Sequence, residues 1–277
     1  MSAEASATVG IRRVVTTHLE TAVTDEADVA LAIAVSSGHT CEAESLRVRL
    51  DGAEVAPEAI DADHRGRLHL MRSVAPGTLV IDYEATVSEV ASPQPAVSDL
   101  DWVRYLRPSR YCESDRLGPL ARGEFAGLGG HDLLAGVSSW VGTNIQYVPG
   151  ASRPIDGAVE TLLAREGVCR DFAHLTAALL RACGVPARVA SVYAPGLEPM
   201  DFHAVTEALI EGRWWVVDPT LLAPRGSMVR IATGADASDT AFLSTLRGGL
   251  ELREMSVTAV AEPALPDDDV TATVQLA

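Results

Sequence analysis

The chain has 277 residues, 47% of them hydrophobic, which is enough for a sizeable core and one or two domains. Its formal net charge of −16 argues against nucleic acid or an anionic membrane as a partner. No stretch approaches the roughly 20 apolar residues of a membrane-spanning helix. The segment Met1-Ser2-Ala3-Glu4-Ala5-Ser6 lacks the basic and apolar parts of a signal peptide, so a cytoplasmic location is expected.

Residues 8–95 read as strands. β-branched residues alternate over 12–23, and further strands are expected at 27–35, 45–50, 65–74 and 77–90. Turn clusters such as Asp51-Gly52 and Ala75-Pro76-Gly77 separate them. Short strands in that arrangement predict a small antiparallel β-sandwich. Ser92-Pro93-Gln94-Pro95 reads as a linker, because two prolines stop both helix and central strand. A second domain is then expected over 96–262, followed by an acidic, loose tail over 263–277 around Asp267-Asp268-Asp269.

Residues 105–120, rich in Arg, Pro and Tyr, read as irregular. Helices are expected over 131–145, 155–166 and 169–183. The last is small or apolar on nearly every face, which marks a buried central helix, and Gly184 and Pro186 end it. Strands follow at 187–193, 203–210, 213–217, 230–235 and 250–261.

Chemistry concentrates in three places. Cys169 opens the central helix, directly after Gly167-Val168. His203 lies in Asp201-Phe202-His203-Ala204. Asp218 ends Trp214-Trp215-Val216-Val217-Asp218-Pro219-Thr220. An ordinary thiol is mostly protonated at neutral pH; a helix N-terminus favours the thiolate through its unpaired N–H groups and dipole, and an imidazolium partner adds to this. A two-residue turn at Glu211-Gly212 would set Ile210 against Arg213. His203 would then lie opposite Thr220, on the same face as Asp218 and diagonal to it. The register brings a base and the carboxylate that orients it together. Taken singly, each residue has a plainer reading: a small core cysteine, a structural histidine, a turn aspartate. Jointly they are the equipment of thiol acyl transfer.

The other cysteines, Cys41, Cys112 and Cys183, show no paired spacing and no CxxC, so no disulfide framework is expected. Zinc held by Cys169 and Cys183 fails on geometry: along one helix they stand roughly 21 Å apart. His174 sits about 140° around the helix from Cys169 and points elsewhere. Nothing in the sequence calls for a metal or organic cofactor.

Gly-Val-Cys-Arg-Asp-Phe-Ala-His-Leu, Leu-Leu-Arg-Ala-Cys-Gly-Val-Pro-Ala-Arg-Val, Phe-His-Ala and Gly-Arg-Trp-Trp-Val-Val-Asp-Pro-Thr together resemble the bacterial transglutaminase-like superfamily, over about residues 100–255. The β-rich region before them resembles the N-terminal domain often attached to such proteins. The resemblance implies an α+β, papain-like core in which a Cys169-bearing helix packs on an antiparallel sheet bearing His203 and Asp218. It implies Cys169 as nucleophile, His203 as base and acid, and Asp218 as its orienter. It also implies a polar or aromatic group beside the thiol, for which Gln146 and Tyr147 are candidates, with Arg170 as a further substrate contact. Val205 stands where members often carry Trp after His-Ala, which alters the apolar wall of the site. No acidic calcium-binding loop is present.

The expected function is a cysteine-dependent amide or peptide hydrolase, or an acyltransferase, acting on a peptide or protein amide. The alternative is a non-catalytic interaction module that keeps the fold. The sequence leaves open the acyl acceptor and the oligomeric state.

Overall fold

The computed structural model describes residues 11–91 and 94–276; the linker residues Ser92 and Pro93 lie outside it. The N-terminal strands are β1 (Arg12–Leu31), β2 (His39–Leu50), β3 (Ala53–Glu54), β4 (Glu58–Asp61), β5 (Arg67–Val74) and β6 (Gly77–Ala91). Alternation along β1 turns Val15, Leu19 and Val23 into the core. The two strands expected over 12–35 form this one strand, because bulges around Asp25 and Asp28 bend it without ending it. Its first part pairs with β6 and its last part with β5. The sheet therefore folds over a single core shared by Val15, Leu19, Leu31, Met71 and Ile81. Arg67 on β5 reaches across to Glu44 on β2, a strand it does not pair with. The expected sandwich is thus built as one bent antiparallel sheet.

The middle of the chain is helical: α1 (Asp99–Leu106), α2 (Gly118–Glu124), α3 (Gly130–Asn144), α4 (Ala158–Ala164) and α5 (Cys169–Ala182). Two short strands, β7 (Gln146–Tyr147) and β8 (Glu166–Gly167), pair in parallel just before α5. The stretch 105–120 is less irregular than its composition suggests. Ser98 and Asp101 cap α1 reciprocally, and Pro119 sits in the first turn of α2, where its missing N–H costs nothing.

Next come β9 (Ala187–Tyr193), β10 (Phe202–Ile210), β11 (Arg213–Val217), β12 (Val229–Gly234), α6 (Ala237–Thr240) and β13 (Leu243–Glu262). A four-stranded antiparallel sheet runs in the order β11-β10-β9-β12. Helix α5 lies on this sheet, buried from Asp171 through Arg181, and Thr206 Oγ1 on β10 donates to the Ala173 carbonyl at 2.8 Å.

The last strand, β13, falls within 96–262 of the sequence yet pairs with β1 along its whole length. Tyr193 on β9 also joins the halves, its hydroxyl donating to the Ile33 carbonyl at 2.8 Å. Buried Glu207 on β10 holds Arg188 and Arg230, and Arg188 continues to His64 of the N-terminal region at 3.1 Å. The two arginines hold the Glu207 carboxyl down at about 2 against the opposing effect of burial.

The acidic tail is packed, contrary to the loose segment expected. Val216 on edge strand β11 donates to the Val274 carbonyl at 2.8 Å, Asp268 pairs with Arg225, and Leu276 is buried. An edge strand presents a free row of backbone groups, and the tail satisfies part of it. Among the described residues, no helix is long and apolar enough to cross a membrane.

Candidate active site

Cys169 is the first residue of α5 and is partly exposed. The helix starts there because Val168 is extended and its N–H is capped by Asp171 Oδ2 at 2.8 Å. The other Asp171 oxygen accepts from Ser152 at 2.9 Å, which ties the preceding loop to the same cap. The N–H groups of Cys169 and Arg170 precede the first intrahelical bond, so they face outward from the helix start. Gly167 leaves the room this needs: a Cβ there would come within 2.7 Å of the Asp171 Cβ.

His203 and Asp218 meet as the hairpin register predicts. Glu211 and Gly212 both have positive φ, the backbone of a two-residue hairpin turn, and Ile210 pairs with Arg213. His203 Nε2 lies 2.8 Å from Asp218 Oδ2, with both side chains buried. Burial pushes the imidazole pKa down, but the Asp218 charge and hydrogen bond and the nearby Cys169 outweigh it, holding the ring up at about 10. His203 Nδ1 is buried and takes no part in the Asp218 bond, so it is the ring nitrogen left for the Cys169 thiol. Cys169 and His203 line one cavity of about 560 Å³.

Thr220 completes the Asp218 environment. Its N–H and hydroxyl both donate to Asp218 Oδ1, at 3.0 and 2.7 Å. This is an Asx turn, which the Asp-Pro-Thr triplet signals in the sequence; that it fixes the orientation of the carboxylate follows from the tertiary structure.

The remaining expected residues divide. Tyr147 lies beside Cys169, its ring 5.8 Å from that of Phe172. Burial, then the Cys169 charge, pushes its hydroxyl up to about 12, so it stays a donor. Gln146 and Tyr147 are both exposed and neither lines the cavity, but strand alternation sends Gln146 to the face opposite Tyr147. Arg170 lines the cavity, but its guanidinium is bonded to Ser152 and to the Arg153 carbonyl. His174 points away from the thiol, as expected. It is buried and stacked on Tyr111 at 5.2 Å, and burial pushes its pKa down to about 3. Cys112 is fully buried, its thiol pushed up to about 12.

A central helix that opens with a thiol and packs on an antiparallel sheet is the papain-like α+β fold. Residues 132–219 match the model of the transglutaminase-like superfamily. The chain is also similar to the crystal structure of a candidate cysteine protease from Cytophaga hutchinsonii: TM-score 0.83, 29% identity, 94% of this chain and 93% of that one. Residues 132–219 thus form a transglutaminase-like superfamily domain. Among curated relatives, it is 26% identical to an uncharacterised Mycobacterium leprae protein over 208 residues, 66% of this chain and 73% of the relative. An uncharacterised Mycobacterium tuberculosis protein is 44% identical over 62 residues, 20% of its own length.

Proposed function

We propose that the protein is a cysteine-dependent amide or peptide hydrolase, or an acyltransferase, working through an acyl-thioester on Cys169. One observation carries this reading: the buried 2.8 Å His203–Asp218 pair, whose His203 lines the same cavity as a thiol at a helix N-terminus.

In this reading Nδ1 takes the thiol proton and Nε2–H stays with Asp218. The thiolate adds to a carboxamide or peptide carbonyl. In this reading the Cys169 N–H and the Tyr147 hydroxyl serve as donors to the developing oxyanion. The Nδ1 proton passes to the departing amine or ammonia as the C–N bond breaks, leaving the acyl group on sulfur. Water then attacks in hydrolysis, or an amine in transamidation, and the thiol is regenerated. The cavity of about 560 Å³ is large enough for a peptide-like acyl group. The cytoplasmic placement is part of the same proposal, and cell fractionation tests it.

The experiment is the alkylation rate of Cys169 by iodoacetamide across pH, in the wild type and in His203→Ala, with the labelled peptide read by mass. A fast plateau extending below pH 7 that disappears in the variant is the expected result. A slow rate that rises only in the range of an ordinary thiol, and is indifferent to His203, would reject the reading. Cys169→Ala should retain the fold, as a small residue replaces a small one, and lose all turnover of any amide substrate found.

A further inference from the structure

The cavity beside Cys169 is built by both halves of the molecule. One side comes from α5, β10 and the loop before α5. The other comes from the N-terminal sheet: Ala32 directly after β1, Phe242 directly before β13, and Met255 on β13. A backbone bond from the Ala32 N–H to the Phe242 carbonyl, 3.0 Å, fixes these segments to each other. The Phe242 ring stacks on Phe202 at 4.9 Å, and Phe202 is the neighbour of His203. The apolar wall is thereby coupled to the strand that carries the imidazole.

Besides His203, the charged residues on this cavity are Arg170 and Asp201. Arg170 bonds Ser152 and the Arg153 carbonyl, and Asp201 accepts from the Phe202 N–H at 2.7 Å. The side built by Ala32, Phe242 and Met255 carries no charged residue, so a charged substrate side chain seated against it would lose water without a counter-charge there. An apolar one would gain the full benefit of burial. The volume of about 560 Å³ lies in the range of small-ligand sites and accepts a branched or aromatic side chain together with its peptide unit.

We propose that the N-terminal sheet supplies the specificity wall of the Cys169 cavity through Phe242 and Met255, and that this wall takes a large apolar side chain adjacent to the carbonyl under attack. The proposal rests on the catalytic reading above, and the test separates the two.

The probes are N-acetyl aminoacyl vinyl sulfones with Ala, Leu, Phe, Glu and Lys side chains. The Cys169 thiolate adds to the vinyl carbon β to the sulfone, which is bonded to the carbon bearing the side chain, and the carbon beside the sulfone takes up the proton, with no leaving group. Iodoacetamide, which needs no wall, is the reference. Rates are measured on the full chain, wild type, His203→Ala, Phe242→Ala and Met255→Ala, with melting curves to verify folding. The Leu and Phe probes should react about tenfold or more faster than the Ala, Glu and Lys probes, the scale of discrimination a hydrophobic pocket provides. In either wall variant that preference, with each probe rate divided by the same variant's iodoacetamide rate, should shrink severalfold; if one variant does not fold, the other carries this comparison. Fast, His203-dependent alkylation with a flat or charge-favouring probe series would overturn the wall and leave the catalytic reading standing. Slow alkylation indifferent to His203 would overturn both.

Discussion

Asp218 carries two duties through its two oxygens. One binds the imidazole and the other is locked by Thr220, so the carboxylate cannot rotate away from the ring. Asp218→Asn should therefore lower turnover by about four orders of magnitude, the scale seen when a catalytic histidine loses its orienting charge. The same substitution has a pH signature in stability. His203 is raised in the folded state to about 10, above an ordinary imidazole. A raised group contributes stability that is full below the unfolded pKa, near 6.5, and is lost as pH climbs through the folded value. The wild type should thus exceed Asp218→Asn by about 3–5 kcal/mol near pH 6, the cost of breaking a buried pair, with the gap narrowing toward pH 10. Urea melts at both pH values check this; a gap that widens with pH would exclude a charged His203.

At the scale of elements, the site depends on how closely α3 approaches the turn after β11. A Cβ added at Gly142 would sit 2.9 Å from the Pro219 carbonyl oxygen, and Pro219 follows Asp218 directly. Backbone cannot yield there as a flexible side chain would. Gly142→Ala should displace the turn and slow Cys169 alkylation at pH 6 severalfold. Far-ultraviolet circular dichroism should meanwhile stay unchanged, because alanine favours the helix itself. An unchanged alkylation rate would show that Asp218 is held by Thr220 alone. Helix α5 illustrates the same dependence. Its start, its end and its apolar faces are local and were legible in the residues. Its seat on β10, fixed by Thr206, is a contact between distant segments that no local pattern announces.

Both outer segments of the described chain are tied to distant strands. Strand β13 returns to β1, and the tail crosses the edge strand β11 behind Asp218. The Arg225–Asp268 pair anchors this tail, with two nitrogens on one carboxylate and both side chains mostly buried. Arg225→Ala should cost about 1.5–3 kcal/mol, the worth of hydrogen bonds to a charged group. It should also raise hydrogen exchange at the Val216 amide, which bonds the Val274 carbonyl. Retained protection at Val216 would mean that Leu276 and Gln94 suffice to hold the tail. The tail reads as acidic and loose in the sequence because its anchors are single residues far away in the chain.

Helix α5, strands β9, β10 and β11, and the Glu211-Gly212 turn were determined by the sequence alone. Period, breakers and turn residues act over a few positions, and one turn register is enough to bring His203 to Asp218. The apolar wall from the N-terminal sheet, the bending of β1, the packed tail and the placement of Tyr147 rather than Gln146 beside Cys169 were decided only in the tertiary structure. Each of these depends on the packing of distant segments, where the burial of apolar surface, which is not directional, selects the neighbour.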